Sequence, residues 1–201
     1  MNPRRRFFDQ MAEVWDIRAD ASRLRRRLTS ELPGFRIRSG ESILDVGCGT
    51  GNLTSELVKS VGPTGRVVAL DLSLKMIERA RAKERGAPVA WLECDATLAP
   101  LRNETFDRVF CFSSWPHFPD PPALAGELWR VLRDGGRIHI WHSIPREAVN
   151  QIHRTSDPAV ANDDLPPAHL IAELLRRTGF RIDDCRDDEA GLLVSGAKEG
   201  D

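Results

Sequence analysis

Short apolar runs alternate with helical segments along most of this chain, and this alternation constrains the fold more than any other feature. Ser42–Val46 is an apolar run that ends in glycines, and residues 52–61 after it have helical periodicity. The same strand-and-helix unit recurs up to the strand that ends at Trp141. Because such alternation produces parallel strands joined by helical crossovers, it predicts a doubly wound α/β sheet with helices on both faces.

The last third of the chain departs from this rhythm. Residues 143–166 are predicted to form an insertion, and the helix that follows stops at Gly179. Two final strands, near Phe180–Cys185 and Leu192–Ala197, are separated by a short polar connection, which predicts a hairpin. We therefore expect a seven-stranded, mostly parallel sheet with one antiparallel edge strand.

Charge and cysteine content narrow the class of protein. The chain has 29 Lys and Arg against 30 Asp and Glu, so its net charge of -1 gives no reason to expect a nucleic-acid partner. Its four cysteines form no CxxC pair, which is typical of free thiols in a reducing compartment. No apolar run approaches the roughly 20 residues that cross a bilayer. We expect a cytoplasmic protein, and the sequence does not indicate its oligomeric state.

The first strand ends in a glycine-rich turn, Asp45-Val-Gly-Cys-Gly-Thr-Gly51. Its glycines let a ligand approach the backbone closely and present amide N–H groups at the start of a helix. A dinucleotide-binding G-x-G-x-x-G motif would require glycine at the position of Asn52. The turn therefore favours a ligand with an amino-acid head over one with a pyrophosphate, and disfavours a nicotinamide-dependent dehydrogenase.

Two more acids follow the next two strands. Asp71 ends the second strand, where a carboxylate can accept hydrogen bonds from ribose hydroxyls. Asp95 comes just after the third strand and is placed to accept from an adenine amino group. A single strand-end Asp could instead be a helix cap, but with Asp45 these acids end three successive strands.

The motifs ILDVGCGTGNLT, VVALDLS, ECDATLAPL, FDRVFCFSSWPHF and LWRVLRDGGRIHI give the chain a resemblance to the class I S-adenosylmethionine-dependent methyltransferases over about residues 40–141. The leader FFDQMAEVWD is similar to that of small-molecule methyltransferases related to ubiquinone and menaquinone biosynthesis. The resemblance implies S-adenosyl-L-methionine as cofactor and S-adenosyl-L-homocysteine as product. A length of 201 residues with 41% hydrophobic content predicts one domain, 1–201. We divide it into a helical leader (1–40), a cofactor-binding core (41–141), and a substrate-side insertion, last helix and edge hairpin (142–201).

The resemblance also implies roles for individual residues. Asp45 and the glycine turn would hold the methionine portion of the cofactor, and Asp71 would bind the ribose. Asp95 with Ala96 would bind the adenine edge, and Ser113 would lie near the sulfonium. The implied cofactor-binding residues are Asp45, Gly47, Cys48, Gly49, Gly51, Asp71, Leu72, Met76, Asp95, Ala96 and Ser113.

Some of these implied roles have equally good structural alternatives. Leu72 and Met76 would flank the adenine, but both could be core residues.

The resemblance also implies a role for the leader, in which residues from Phe8 to Trp15 would close over the cofactor.

Methyl transfer from a sulfonium is an in-line displacement, in which the protein mainly aligns the acceptor. A hydroxyl or carbon acid usually also needs a proton acceptor. His117 and His142, after the fourth and fifth strands, are candidate catalytic residues because histidine titrates near neutrality. Each could instead be a hydrogen-bonded neighbour, and Trp115, a candidate wall of the substrate pocket, could instead be a core residue.

A helix after Pro145 would place Arg146, Asn150 and His153 on one face, at i, i+4 and i+7. This face could contact a polar or anionic small substrate, or could simply face solvent. In a less favoured variant, histidines 117, 142 and 153 bind a metal or metalloid, but the main interpretation includes no metal.

The sequence therefore predicts methyl transfer to a small molecule. Ser113-Ser114-Trp115-Pro116 differs from the Asn/Asp-Pro-Pro-aromatic motif of enzymes that methylate amino nitrogens of nucleobases or glutamine. The alternative is a catalytically inactive protein that binds S-adenosylmethionine as a sensor or partner protein, and a metal- or metalloid-linked methyltransferase is less favoured.

Overall fold

The computed structural model describes residues 2–84 and 88–200. The chain divides into two compact units, the first ending at Asp95 and the second beginning at Ala96. Each unit is a layer of strands with helices packed against it. The single domain predicted for residues 1–201 stays a prediction.

The described part of the first unit begins with helices and continues with alternating strands and helices. Asp20 begins the third helix, because its carboxylate accepts a hydrogen bond of 3.1 Å from the Arg23 amide. The elements are α1 (Pro3–Met11), α2 (Trp15–Arg18), α3 (Ala21–Glu31), β1 (Ser42–Val46), α4 (Asn52–Val61), β2 (Arg66–Asp71), α5 (Leu74–Lys83) and β3 (Val89–Glu93), with a short 3-10 turn at Leu32–Phe35.

The strands of the first unit are all parallel. β1 pairs with β2 and β2 with β3, which gives the order β3-β2-β1. Every residue of β1 after Ser42 and of β2 after Arg66 is buried. Such continuous burial is typical of parallel strands with both faces covered, and it explains why these segments are apolar runs rather than alternating patterns.

The second unit contains the remaining strands of the described chain. A helix follows its first strand, because Asp120 caps the helix and Pro121 occupies its first position. The elements are β4 (Phe106–Phe112), α6 (Pro121–Val131), β5 (Leu132–His142), α7 (Arg146–Arg154), α8 (Ala168–Thr178), β6 (Phe180–Asp188) and β7 (Gly191–Lys198), with short 3-10 turns at Ala96–Leu98 and Trp115–His117.

The predicted hairpin is formed by β6 and β7. β4 is parallel to β5, whereas β7 is antiparallel to both β5 and β6, so the order in this unit is β4-β5-β7-β6. The antiparallel strand β7 therefore lies one position in from the edge, and β6 is the edge strand. The predicted α/β class, with seven strands in a mostly parallel sheet, is confirmed for the described residues.

Helix α8 ends where the sequence predicts, at Gly179, which has a φ of +106°. Within residues 2–84 and 88–200, no helix combines the length and the apolar character that crossing a bilayer requires.

Candidate functional site

The glycine loop, residues 47–51, joins β1 to α4 in the first unit and is held in place by backbone hydrogen bonds to β2. The amides of Gly47 and Cys48 both donate to the carbonyl of Leu70, at 2.9 and 3.0 Å. All three glycines of the loop have positive φ, between +53° and +79°, a region that other residues adopt only with strain. The loop ends at the amino terminus of α4, which begins at Asn52. Amide groups at this end of a helix favour an anionic ligand.

Asp71, the last residue of β2, connects that strand to the glycine loop. Its Oδ2 accepts a hydrogen bond of 2.8 Å from the Gly49 amide, and its Oδ1 accepts one of 2.8 Å from the Ser73 amide. Because these donors are on either side of the carboxylate, they fix its orientation. The residue predicted to bind the ribose and the glycine loop are thus brought together.

Asp45 lies beneath this loop and is 1% exposed. Its Oδ2 accepts a hydrogen bond of 2.6 Å from the Thr54 hydroxyl, which connects β1 to α4. Burial raises the pKa of Asp45, the Thr54 hydrogen bond opposes this rise and the charge of Asp71 adds to it, so that the pKa is about 7. The Asp45 carboxyl group is therefore partly protonated at neutral pH, whereas most carboxyl groups are ionised.

Cys48 lies within the glycine loop with its side chain buried. Burial raises the pKa of its thiol well above the ordinary value, and the nearby charges of Asp71 and Asp45 raise it further. The thiol is therefore neutral at physiological pH. We find a packing role for this side chain within the first unit, against Ala69 and Ile77.

The leader helices contact this loop through polar side chains, which the sequence analysis did not identify. Asp16 Oδ1 accepts hydrogen bonds from the Thr50 hydroxyl at 2.6 Å and from the Asn52 amide at 3.2 Å. Its other oxygen, Oδ2, lies 2.6 Å from Lys83 Nζ. No local pattern marks Asp16, because its partners lie in other parts of the chain.

Aromatic residues of the leader also approach the loop. The Trp15 indole nitrogen lies 4.0 Å from the position that a Cβ atom on Gly49 would occupy. Phe8 packs edge-on against Trp15, with ring centroids 5.9 Å apart. The segment from Phe8 to Trp15 thus lies beside the glycine loop, and its closure over a cofactor stays a prediction.

The other predicted cofactor residues of the first unit differ in exposure. Leu72 is half-buried between β2 and α5, and Met76 is 1% exposed on α5. Asp95 is exposed two residues after β3. Burial gives Met76 a clear packing role, whereas the adenine contacts of all three residues stay predictions.

In the second unit, Ser113 directly follows β4 and is exposed. Its φ is +51°, and its amide donates to the Trp141 carbonyl at 2.8 Å. A non-glycine residue in this conformation is strained, and such strain concentrates at functional sites. Trp115 is 1% exposed and is one of the largest fully buried side chains, and Ala96 is also buried.

Two of the histidines singled out in the sequence meet in the second unit. The rings of His117 and His153 are 4.8 Å apart, with an angle of 50° between their planes. His117 Nδ1 lies 2.9 Å from Asp163 Oδ2, and His153 Nδ1 lies 2.5 Å from the Asp163 backbone oxygen. Asp163, which the sequence analysis did not identify, therefore contacts both rings.

His142, at the end of β5, is electrostatically coupled to the same two histidines. Burial, reinforced by the nearby His117 and His153, lowers the pKa of His142 to about 3. Its side chain is 1% exposed, and its Nε2 atom has no hydrogen-bond partner among the described residues. Burial, together with His117, also lowers the pKa of His153. His142 is therefore neutral at physiological pH, and its pKa lies too low for the near-neutral titration that made it a candidate.

The predicted face of α7 does not simply face solvent. Asn150 is 2% exposed, and its side-chain amide donates to the Leu165 carbonyl and accepts from the Leu165 amide, at 3.2 and 2.7 Å. Arg146 Nε donates to Asp187 Oδ2 at 3.1 Å. Asn150 and His153 thus hold the segment before α8, and the substrate contacts predicted for this face stay predictions.

Within residues 2–84 and 88–200, no group of three or more His, Cys, Asp or Glu side chains is arranged to hold a metal ion. The Nδ1 atoms of His117 and His153 both point to Asp163 oxygens instead.

Known proteins are similar to this chain along most of its length. A family model described as a methyltransferase domain matches residues 44–140. A demethylmenaquinone methyltransferase of Lactococcus lactis is 30% identical over 182 residues, which cover 78% of this chain and 72% of that protein. A ubiquinone/menaquinone biosynthesis C-methyltransferase of Saccharophagus degradans is 33% identical over 142 residues, covering 66% of this chain and 56% of that protein. For two other relatives, the matched part of this chain covers only 36% and 45% of the relative's own length.

Solved structures share the fold. A structure of the Haloferax volcanii Trm112 methyltransferase activator with a methyltransferase matches with a TM-score of 0.78 and 21% identity, covering 96% of this chain and 98% of that chain. An S-adenosylmethionine-dependent methyltransferase from Aquifex aeolicus matches with a TM-score of 0.72 and 23% identity, covering 85% and 89%. At these identities, the matches show the fold.

Proposed function

This chain belongs to the class I S-adenosylmethionine-dependent methyltransferases and resembles their ubiquinone/menaquinone group, and we propose that it methylates a small-molecule acceptor by in-line displacement. Its cofactor is S-adenosylmethionine. The observation that carries the proposal is the anchoring of Asp71, whose two oxygens accept from the Gly49 and Ser73 amides. This anchoring holds a carboxylate at the end of β2, next to a glycine loop.

The residues of the first unit fit this cofactor chemically. In open α/β sheets, ligands bind outside the carboxyl ends of the strands, and this is where Asp71 lies. An ionised carboxylate has the capacity for about four hydrogen bonds, which suits a ligand with ribose hydroxyls. The amides at the start of α4 suit the carboxylate of a methionine portion. The proposed holders of the cofactor are the residues that the sequence predicts.

When bound, S-adenosylmethionine supplies a methyl group made reactive by its sulfonium, so the chain needs mainly to align the acceptor. We assign proton uptake to His117, whose Nδ1 is engaged by Asp163. In the proposal, His142 contacts the acceptor as a neutral ring through its buried Nε2 atom. Ser113, held in a strained conformation after β4, is proposed to lie near the reacting methyl group.

The names of the relatives guide the choice of acceptor. The Lactococcus lactis and Saccharophagus degradans proteins are named for demethylmenaquinone and for ubiquinone and menaquinone biosynthesis. We therefore propose that compounds with hydroxylated aromatic rings are the first small molecules to test as methyl acceptors for this chain. A cytoplasmic location, expected because the four cysteines form no CxxC pair in the sequence, is part of the same proposal.

The proposal is tested by calorimetric titration with S-adenosylhomocysteine, comparing the wild type with Asp71→Ala. We expect micromolar-class binding by the wild type and at least about 100-fold weaker binding by the variant, because two charge-assisted hydrogen bonds contribute roughly 3 kcal/mol or more together. Glu78→Ala is the control, because Glu78 is exposed on α5 and pairs with Lys75. Failure of the wild type to bind, or equal binding by Asp71→Ala, would overturn the assignment.

Transfer itself is measured with methyl-labelled cofactor and a panel of small phenols, hydroquinones, amines and thiols. Incorporation of label into at least one of these molecules supports a small-molecule acceptor. Label that enters only protein or nucleic acid contradicts it.

A further inference from the structure

Asp163 contacts two histidines, one through its side-chain carboxylate and the other through its backbone carbonyl. Its carboxylate Oδ2 lies 2.9 Å from His117 Nδ1, and its backbone oxygen lies 2.5 Å from His153 Nδ1. The residue is 4% exposed and lies in the segment between α7 and α8. One buried residue therefore sets the orientation of both rings.

These contacts also determine where each ring carries its proton. A backbone carbonyl oxygen only accepts, so His153 must donate from Nδ1. When the Asp163 carboxylate is ionised it also only accepts, and His117 then donates from Nδ1. In the neutral form, each ring then has its acceptor lone pair on Nε2, the atom farther from Asp163.

His142 provides an independent observation that points to a ligand. Its Nε2 atom is buried and lacks a hydrogen-bond partner among the described residues, although buried polar atoms are nearly always paired. The charges of His117 and His153 act on His142, so the three rings lie within electrostatic range of one another. The titratable groups that act on His153 are His117, Asp163 and Asp164. A polar ligand group would supply the missing partner of His142.

We propose that Asp163 is a positioning residue for the acceptor: it holds His117 in the tautomer whose Nε2 takes a proton from a hydroxyl or an acidic C–H of the acceptor. This inference rests on the proposed function. The proton moves to His117 Nε2, and the electron pair it leaves forms the new bond to the methyl carbon. The bond between that carbon and sulfur breaks, and its electron pair stays on sulfur.

The carboxylate of Asp163 keeps the same contact throughout this step. Its Oδ2 lies 2.9 Å from His117 Nδ1, an atom that carries a hydrogen both before and after Nε2 takes the proton. His153 is held by the backbone oxygen instead, so substitution of the Asp163 side chain does not remove its partner. The two histidines therefore have different roles although they share a residue.

The tautomers are tested by nitrogen-15 NMR of the histidine rings at about pH 8.5, where histidine is ordinarily neutral. We expect His117 and His153 to show a protonated Nδ1 and an unprotonated Nε2. In Asp163→Asn, His117 should redistribute toward the other tautomer, whereas His153 should not change, because its partner is a backbone oxygen. A wild-type His117 protonated at Nε2 overturns the proposal, and this measurement does not depend on how well any variant folds.

Kinetics provide the second test. Asp163→Asn should lower kcat about 100-fold or more, with the KM for S-adenosylmethionine and the affinity for S-adenosylhomocysteine changed less than about twofold. Asp163→Glu, which keeps the charge, should recover part of kcat. Asp164→Asn is the matched control, because the Asp164 side chain is 58% exposed and pairs with Arg154 at 3.3 Å.

The outcomes separate this inference from the proposed function. Wild-type kcat in a folded Asp163→Asn variant would overturn the positioning role while leaving methyl transfer intact. Failure of the wild type to bind S-adenosylhomocysteine would overturn the proposed function instead. Thermal unfolding of each variant shows whether a loss of kcat reflects loss of the folded protein.

Discussion

The Thr50 hydroxyl donates a hydrogen bond of 2.6 Å to Asp16 Oδ1, which joins helix α2 of the leader to the glycine loop. Burial raises the pKa of Asp16, but the hydrogen bonds from Lys83 and Thr50 outweigh this effect, so its pKa lies below the usual value. Asp16 is therefore ionised at neutral pH and holds its partners by charge as well as by hydrogen bonding. The leader thus helps to set the conformation of the loop.

We predict that Asp16→Ala weakens the binding of S-adenosylhomocysteine about fivefold. The loop loses a partner worth roughly 1 kcal/mol net, part of which must be recovered when the ligand orders it. Calorimetric titration measures the change. Glu13→Ala is the control, because Glu13 belongs to the same leader but pairs with Arg79 on α5. Equal affinities in the two variants would show that the Asp16 contact does not matter for binding.

We predict that Asp45 makes the free energy of unfolding fall as pH rises from about 4 to 7. The pKa of its carboxyl group is raised from 3.8 to about 7, so the folded protein holds a proton that the unfolded chain has lost. Its contribution is fully present below pH 4 and is lost as pH rises through 7, with an upper limit of about 4 kcal/mol at roughly 1.4 kcal/mol per unit.

Urea unfolding of the wild type and Asp45→Asn at several pH values measures this contribution. As pH rises from about 4 to 7, the free energy of unfolding of the wild type should fall relative to that of Asp45→Asn. The control is the exposed Asp164→Asn, which should show a much smaller change with pH. A constant difference between wild type and Asp45→Asn would contradict the assignment.

His142 should have the opposite dependence on pH. Its pKa is lowered from 6.5 to about 3, so between these pH values the ring is protonated in the unfolded chain and neutral in the folded protein. Its contribution is present above pH 6.5 and is lost as pH falls through 3. The shifts of Asp45 and His142 are each about three units, so between pH 4 and 6.5 the two effects largely cancel in the wild type.

Only substitution separates these two effects. His142→Gln should become more stable relative to the wild type as pH falls, by up to about 1.4 kcal/mol per unit. His169→Gln provides the comparison, because His169 is exposed on α8. A difference between wild type and His142→Gln that does not change from pH 7 to 4 would be inconsistent with a neutral, buried His142.

Two glycine substitutions should change stability in opposite directions. Gly51 has a φ of +79°, and a Cβ atom there would lie 3.0 Å from the Ala80 Cβ atom. Gly51→Ala should therefore lower the free energy of unfolding by about 1–2 kcal/mol and weaken cofactor binding. Gly126 lies exposed within α6 with no atom within 4 Å of an added Cβ, so Gly126→Ala should stabilise by roughly 0.5–1 kcal/mol. Thermal unfolding measures both, and a stable Gly51→Ala with normal binding would contradict the strain argument.

The sequence by itself determined the strands, their alternation with helices, and the loop from Asp45 to Gly51. These features depend on local chemistry: apolar runs form buried strands, and glycines permit the left-handed turns that the loop adopts. The positions of Asp71 and the β6–β7 hairpin also followed from local patterns, because strand ends and short turns are marked by adjacent residues.

Only the tertiary structure decided which side chains meet. Asp163 and His117 are 46 residues apart, and Asp16 and Thr50 are 34 apart, so no local spacing indicates either pair. The face of α7 was ambiguous for the same reason: helical periodicity places Asn150 and His153 on one side, but packing decided that this side holds the segment before α8. Burial depends on the whole fold, and it is burial that makes Asp45 hard to ionise and keeps His142 neutral.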